Sequence, residues 1–329
     1  MAGTSTVPDA VAPMLAVDGP LPDDDQHGYE WKWDGFRGCV RVAGTGETRI
    51  TSRSGSDHTA RYPELGDVFG PALGGRAAVL DGEVVALNPA GRPEFELMQR
   101  RAMYEPTPKL RAEVPVVYFA FDLLWLDGEP LLNLPYAQRR ELLAGLLQPA
   151  DGRIVVPPWY TRADIAPAQL LATAAEHGIE GVVAKRLDAP YLPGARSPVW
   201  TKRALTHTAE VVVGGWRPGA GRRAGTLGAL LLGAYDDEGA LVYLGDVGTG
   251  FSDDALDHLS GVLASLARPA SPFDTEVPRD RARGARWVEP SLVGEVVYRR
   301  FTPDRRLRHT SWRGLRPDRT PAEIGLPPL

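Results

Sequence analysis

The sequence of 329 residues predicts a two-domain protein in which a domain of mixed strands and helices precedes a domain made mostly of strands. The chain is long enough for each domain to bury its own core. Up to about residue 203, segments of strand composition alternate with segments that have apolar residues at helical spacing. Beyond that point, short strand-like segments are separated by glycine-rich turns. The first domain is therefore predicted to be α/β or α+β.

In the first domain, β-branched and aromatic residues are concentrated in two segments, 77–87 and 114–126, which predict strands. Apolar residues recur at helical spacing in 136–147 and 166–176, and a short strand is expected at 181–185. Residues 1–12 are expected to be a disordered extension.

The second domain has strand-like segments at 209–216, 227–235, 240–247 and 292–300. One helix is expected after Ser252, a favourable N-cap residue that is followed by two acidic residues. About five short strands with one helix are typical of a small Greek-key barrel of the OB type.

The composition limits the classes of protein to consider. No apolar run approaches the roughly 18 residues that would indicate a membrane-spanning helix. The first 13 residues lack the basic and apolar regions of a secretory signal. Cys39 is the only cysteine, which excludes an intrachain disulfide and a multi-cysteine zinc site. We expect a cytoplasmic protein without a membrane partner.

Charge is unevenly distributed along the chain, whose formal net charge is -5. From Arg279 onward there are 12 arginines and six acidic residues. Such a basic stretch is compatible with phosphate binding and equally with a solvated surface rich in arginine.

Lysine is rare in this sequence. Of 37 basic residues only four are lysine, namely Lys32, Lys109, Lys185 and Lys202. An amine can lose its proton and act as a nucleophile, whereas a guanidinium cannot. Each lysine is therefore a candidate functional residue.

The segment GYEWKWDGFRGCVRV, residues 28–42, is the most informative motif. In a strand, Lys32 and Asp34 would point to the same face, and Gly35 would allow the next turn to approach a ligand closely. Taken alone, this short pattern also fits an edge strand with an ordinary arrangement of charges.

Three further segments carry charged residues of the same kind. Asp81 and Glu83 are expected on one strand face, Glu180 and Lys185 at opposite ends of a short strand, and Arg196 and Lys202 in PGARSPVWTKRA. Together, these carboxylates and lysines would form a site for a polyphosphate and its Mg²⁺.

These segments, in this order and spacing, resemble the motifs of the covalent nucleotidyltransferases, and among them the ATP-dependent DNA ligases. The resemblance covers roughly residues 13–322 and is greatest to the ligase module of bacterial ligase D and to stand-alone ligase C type enzymes. It includes SRSG at 52–55, FELMQRR at 95–101, YFAFDLLWLDG at 118–128 and LRHTSWRGLRPDR at 307–319.

The resemblance implies an α+β fold, with an ATP-grasp-like adenylyltransferase domain over residues 13–204 and a C-terminal OB-fold β-barrel over residues 205–329. No primase module, nuclease module or separate N-terminal DNA-binding domain is recognised in the sequence.

The family's site residues can be transferred to the matching positions. Lys32 would attack the α-phosphorus of ATP and carry AMP, Glu30 would read the adenine amino group, and Phe121 would stack on the purine. Asp34, Glu83 and Glu180 would lie near the metal. The other implied contacts are Arg37, Arg53, Glu83 and Arg196 with the nucleotide or the 5′-phosphate of a nick, Lys185 and Lys202 with the α-phosphate, and Arg316 and Asp318 with the leaving pyrophosphate.

The implied cofactors are ATP, which forms a covalent AMP intermediate, and Mg²⁺ or Mn²⁺. The implied partner is nicked double-stranded DNA, bound by a monomer associated with the nucleoid. Whether a Ku-like end-binding protein or a repair polymerase is also a partner stays open at this stage.

The sequence departs from the family at one position. These ligases usually carry two lysines in the pattern W-x-K-x-K, but the second position here is Ala204. Arg203 should point to the opposite strand face and is a poor substitute. The departure predicts slower formation of the enzyme–AMP intermediate.

Two alternatives remain. An RNA ligase or GTP-using capping enzyme would share most of these motifs, although Glu30 and the motif near the C-terminus favour a DNA ligase. A non-catalytic DNA-binding scaffold with a degenerate site would be compatible with Ala204 but not with intact Lys32, Glu83, Glu180 and Lys202.

Overall fold

The computed structural model describes residues 7–147, 152–219, 226–302 and 304–327. The chain divides into two compact units, Met1–Leu205 and Thr206–Leu329. Both units are rich in β-sheet, and the fold is of a mixed α/β type.

The first unit contains two sheets and several short helices. Its strands are β1 (Leu15–Asp18), β2 (His27–Lys32), β3 (Phe36–Val42), β4 (Thr48–Ser52), β5 (Ala78–Ala86), β6 (Val116–Leu126), β7 (Glu129–Pro130), β8 (Ile154–Val155), β9 (Trp159–Thr161), β10 (Gly181–Arg186) and β11 (Arg196–Ala204). Its helices are α1 (Pro63–Gly66), α2 (Phe69–Ala72), α3 (Phe95–Met103), α4 (Pro108–Glu113), α5 (Tyr136–Leu146) and α6 (Pro167–His177).

The first sheet has the strand order β1-β11-β10-β2-β9. Tyr29 and Trp31 of β2 face α6, where Tyr29 belongs to a buried cluster with Leu170. Because side chains alternate along a strand, Glu30 and Lys32 point to the other face of this sheet. Helix α6 ends at Gly178, which adopts the left-handed conformation (φ 68°) that favours glycine.

The second sheet has the order β4-β3-β5-β6-β7, with β8 added beside β6. Its strand β6 is rich in β-branched and aromatic residues and is almost wholly buried. One face of the sheet packs on a large core that includes Phe36, Phe69, Leu80 and Tyr118.

A smaller apolar cluster joins Met14, Cys39, Trp125, Tyr191 and Trp200, which come from strands of both sheets and the segments beside them. Val7 and Val11 pack against this cluster. Both side chains are partly buried, whereas Asp9, Ala10 and Ala12 are exposed, and the predicted disorder of residues 1–12 stays a prediction. Residues 1–6 lie outside the described residues.

The second unit is built on an antiparallel sheet of order β14-β13-β12-β16-β15, with β19 paired to β16. Helix α7 begins after Ser252, whose side chain accepts a hydrogen bond from the Ala255 amide, as the sequence predicts. The elements are β12 (His207–Pro218), β13 (Leu227–Tyr235), β14 (Leu241–Val247), α7 (Asp253–Ser265), β15 (Ala267–Arg268), α8 (Arg279–Ala282), β16 (Arg286–Tyr298), β17 (Arg300–Phe301), β18 (Leu307–Arg308) and β19 (Ser311–Leu315).

The helices and strands named in the sequence analysis are confirmed, with ends shifted by a few residues. The main correction concerns Asp34: β2 ends at Lys32 and β3 begins at Phe36, so Asp34 lies in a connection and the same-face prediction is wrong. The reason is the tight turn at Gly35, where a Cβ atom would come within 2.2 Å of the Val84 carbonyl oxygen. Gly35 thus permits contact with β5. In the described part of the chain, the helices are too short or too polar to cross a bilayer.

Candidate functional site

Three neighbouring strands of the first sheet align the predicted site residues in rows. Lys32 is paired with Gly181, and Gly181 with Ala204. Two residues towards the start of β2, a second row joins Glu30, Val183 and Lys202, and these side chains share one face of the sheet with Lys32.

The ammonium of Lys32 donates a hydrogen bond to a carboxylate oxygen of Glu180, the residue just before β10. Burial by itself would lower the pKa of Lys32, but the carboxylates of Glu180, Asp34 and Glu83 together raise it above its ordinary value. Lys32 is therefore protonated here at neutral pH, and it must lose a proton before it can act as a nucleophile.

Lys202 lies close enough to Lys32 for the charge of Lys32 to affect its pKa. Burial lowers the pKa of the Lys202 ammonium, and the positive charge of Lys32 lowers it further. Its nearest carboxylate, Asp18, is 3.5 Å away, and the side chain is 30% exposed. Lys202 thus presents a partly accessible cation beside Lys32.

Lys185 lies elsewhere. It pairs in register with Gly28, four residues from Lys32 and hence about 13 Å along the strand. Its Nζ is 2.6 Å from Glu30 and is surrounded by the rings of Trp200 at 4.3 Å, Phe121 at 4.5 Å and Tyr136 at 5.0 Å. The structure therefore places Lys185 at the Glu30 end of the site, whereas the resemblance implied a phosphate contact beside Lys32.

Glu30 is only 4% exposed, and three groups hold its carboxylate. Tyr136 donates a hydrogen bond to Oε1, Arg140 Nε lies 3.2 Å from the same oxygen, and Lys185 approaches Oε2. Burial alone would raise the pKa of Glu30, but Lys185 and Arg140 lower it below its ordinary value. Glu30 is therefore ionised. Sequence reasoning did not find Tyr136 or Arg140; the available signal was a pair of adjacent arginines inside an amphipathic helix.

Arg37 of β3 is held by Asp81 of β5 through two hydrogen bonds of 2.6 Å. Asp81 is fully buried and also accepts a hydrogen bond of 2.7 Å from the Tyr191 hydroxyl. The guanidinium lies 4.7 Å from the centre of the Phe121 ring, so both Arg37 and Lys185 contact that ring. The ring predicted to stack on a purine is already in contact with two cations.

The predicted metal ligands are close enough to Lys32 to affect its pKa, but they do not form a ready-made metal site. Among the described residues, no group of three or more His, Cys, Asp or Glu side chains is arranged to hold a metal ion. The carboxylate of Glu180 already accepts a hydrogen bond from the Lys32 ammonium. Magnesium usually binds through one or two carboxylates together with substrate phosphates, and Asp34 and Glu83 are sufficient for that mode.

Two predicted arginines lie at strand ends of the first unit. Arg196 begins β11 and donates a hydrogen bond of 2.6 Å to the Ala16 carbonyl oxygen. Arg53 directly follows β4.

Arg316 and Asp318 belong to the second unit, where they bond to each other through two hydrogen bonds of 2.8 and 2.7 Å. Arg316 also binds Glu295 at 2.7 Å and approaches Glu210 at 3.4 Å. Glu210 and Glu295 face each other across β12 and β16, a repulsive pairing that Arg316 relieves. Arg316 therefore has a structural role within this unit.

Comparison with known proteins assigns both parts of the chain. Residues 13–203 match the family described as ATP dependent DNA ligase domain, and residues 223–319 match the ATP dependent DNA ligase C terminal region. The multifunctional non-homologous end joining protein LigD of Mycobacterium bovis is 43% identical over 318 residues, and that of Pseudomonas aeruginosa is 35% identical over 337 residues. These alignments cover 96% and 99% of this chain.

The chain spans about 40% of the length of these relatives, with 40% and 38% covered. A solved structure titled mycobacterial DNA ligase D complexed with ATP and MES is similar over nearly its whole length. The match has a TM-score of 0.67 and 41% sequence identity, and it covers 96% of this chain and 98% of the other.

Proposed function

The chain belongs to the family of ATP-dependent DNA ligases, and on this basis we propose that it seals nicks between a 5′-phosphate and a 3′-hydroxyl in duplex DNA. The domains proposed are an adenylyltransferase domain over residues 13–204 and an OB-fold domain over residues 205–329. The names of the relatives suggest that the sealing serves end joining in DNA repair.

The observation that carries this proposal is the setting of Lys32. Lys32 is the last residue of β2, and its side chain lies on the sheet face that also carries Glu30. Its amine donates a hydrogen bond to Glu180 and interacts electrostatically with Lys202. In the first step, the Lys32 nitrogen forms a bond to the α-phosphorus of ATP while the bond to pyrophosphate breaks. Glu180 already accepts a hydrogen bond from the ammonium, so it is placed to take the proton that the amine must lose.

Lys202 would then stabilise the charge that develops on the α-phosphate, because its ammonium is close enough to Lys32 for the two charges to interact. A divalent ion bound with the ATP phosphates would supply further charge neutralisation, with Asp34 and Glu83 as its protein ligands. In the second step AMP passes to the 5′-phosphate of the nick, and in the third the 3′-hydroxyl displaces AMP.

The test of this proposal is sealing of a labelled nicked duplex by the full chain with ATP and Mg²⁺. Incubation with ATP and Mg²⁺ in the absence of DNA should add the mass of one AMP to the protein. An RNA ligase would instead prefer a nick in RNA, and a non-catalytic scaffold would gain no AMP.

Replacing Ala204 by lysine is expected to speed formation of the enzyme–AMP intermediate by about threefold to tenfold, equivalent to about half to one pKa unit. Ala204 is separated from Lys32 only by Gly181, so a lysine at 204 would extend over a residue without a side chain towards Lys32. A second ammonium lowers the pKa of Lys32 and stabilises the phosphate. Ala204→Gln is the uncharged control of similar length, and equal rates for the two variants would contradict this account.

Binding to nicked DNA is expected to weaken steeply with salt, because the basic segment after Arg279 exposes several arginines. The paired strands β17 and β18 bring the exposed Arg299 and Arg308 to one hairpin. Replacing both by glutamine should reduce the slope of log affinity against log salt by about one to two units. A gel-shift titration measures this slope, with Arg92→Gln as an exposed control in the first unit. An unchanged slope in the double variant would show that this hairpin does not contact phosphate.

A further inference from the structure

Helix α5 brings two side chains to the carboxylate of Glu30. Tyr136 and Arg140 are four residues apart and therefore lie on the same face of the helix. The ring of Tyr136 also packs edge-on against Trp159 at 5.9 Å, and Arg140 Nη2 donates a hydrogen bond to the Pro157 carbonyl oxygen. Both residues are thus fixed by neighbours other than Glu30.

The contacts around Glu30 are divided unequally between its two carboxylate oxygens. A carboxylate has about four lone-pair positions, two on each oxygen. Tyr136 donates a hydrogen bond to Oε1, and Arg140 Nε lies 3.2 Å from the same oxygen, whereas Lys185 Nζ lies 2.6 Å from Oε2. Oε1 is therefore the more crowded oxygen, and Oε2 is the one better placed to accept a hydrogen bond from a ligand.

The two purine bases differ in what they offer to such a group. The amino group of adenine presents one hydrogen to a single acceptor. The edge of guanine offers two parallel N–H groups that a carboxylate with both oxygens available could accept, beside a carbonyl oxygen that a carboxylate repels.

We propose that Tyr136 and Arg140 are positioning residues that set base specificity: by crowding Oε1, they leave Oε2 as the acceptor for the base, which suits adenine and hinders two-point binding of guanine. This inference rests on the proposed function, in which Glu30 contacts the base of the nucleotide. The cations of Lys185 and Arg140 also keep Glu30 ionised, and therefore unable to donate a proton to the guanine carbonyl.

The experiment compares covalent labelling of the full chain by α-labelled ATP and GTP. Tyr136→Phe removes only the hydroxyl, and Arg140→Gln removes the charge. Each is expected to lower the ratio of ATP labelling to GTP labelling by about tenfold, because Tyr136→Phe removes a hydrogen bond to Oε1 and Arg140→Gln removes the cation beside it. Arg140→Lys retains the charge and should keep most of the wild-type ratio.

Tyr118→Phe is the matched control, since it removes another buried hydroxyl of the same unit, one that bonds to the Gly38 carbonyl oxygen. Its ratio should equal that of the wild type. Unchanged ratios in folded Tyr136→Phe and Arg140→Gln proteins would overturn the inference while ATP labelling of the wild type upheld the proposed function. If Arg140→Gln does not fold, Tyr136→Phe alone decides, because it retains the ring packing. Absence of ATP labelling in the wild type would instead reject the proposed function.

Discussion

Lys32→Ala is expected to eliminate formation of the enzyme–AMP intermediate, because no other side chain at this position of the sheet can form the bond to phosphorus. Lys202 lies two rows away, on the row of Glu30, and Lys185 forms an ion pair with Glu30. The loss should exceed about a thousandfold, as is usual when a covalent nucleophile is removed. The measurement is incorporation of labelled AMP, read alongside sealing of a nicked duplex.

A second substrate distinguishes a loss of enzyme–AMP formation from a loss of folding or of DNA binding. A nick that already carries AMP on its 5′-phosphate does not need the lysine adduct, so Lys32→Ala should still seal it. Lys109→Ala is the matched control, since Lys109 is another of the four lysines but its side chain is 85% exposed and its ion pair with Glu113 is long, at 3.8 Å. Residual labelling of Lys32→Ala near the wild-type level would identify another nucleophile.

Arg139→Met is expected to lower the free energy of unfolding of the first unit by about 3–5 kcal/mol. Arg139 and Asp122 are both fully buried and joined by hydrogen bonds of 2.7 and 3.0 Å. Arg139 also donates to the carbonyl oxygens of Leu134 and Ala189. Methionine would leave the Asp122 carboxylate without its cation in a site where burial already raises its pKa.

Urea unfolding of the full chain measures this effect as a shift in the midpoint of the first transition. Arg186→Met is the matched control: Arg186 makes hydrogen bonds of the same lengths to Asp188, but both side chains are exposed. Solvent screens that pair, so the control should have an unchanged midpoint. Equal shifts in the two variants would show that burial does not set the strength of the Arg139–Asp122 pair.

A structural feature of this protein could be predicted from the sequence when a local residue pattern encodes it. The periodicity of residues 166–176 and the capping serine at 252 are local patterns, and both predicted their helices correctly. The same-face prediction for Lys32 and Asp34 was wrong, because it extended a strand through Gly35, where contact with β5 requires a turn. The contacts of Val7 and Val11 could not be predicted either, because most residues of the apolar cluster that they pack against are far away in the sequence.

The same difference between local patterns and long-range contacts applies to the residues of the candidate site. Lys32 and the segments around it could be recognised from residue order and from the rarity of lysine in this chain. Tyr136 could not be recognised, because it is 106 residues from Glu30. Glu180 was recognised as a site residue, but its hydrogen bond with Lys32, 148 residues away, was not predicted. Strand register also decided which lysine lies nearer to Lys32, placing Lys202 there and Lys185 with Glu30.

The sequence by itself therefore determined the family and the order of the elements and pointed to Lys32 as the proposed nucleophile, because each of these depends on local residue patterns. Only the tertiary structure decided the protonation of Lys32, the ionisation of Glu30 and the structural role of Arg316. Each of these depends on the burial of a charge and the distance to its partner, and both are set when strands and helices distant in the chain pack together.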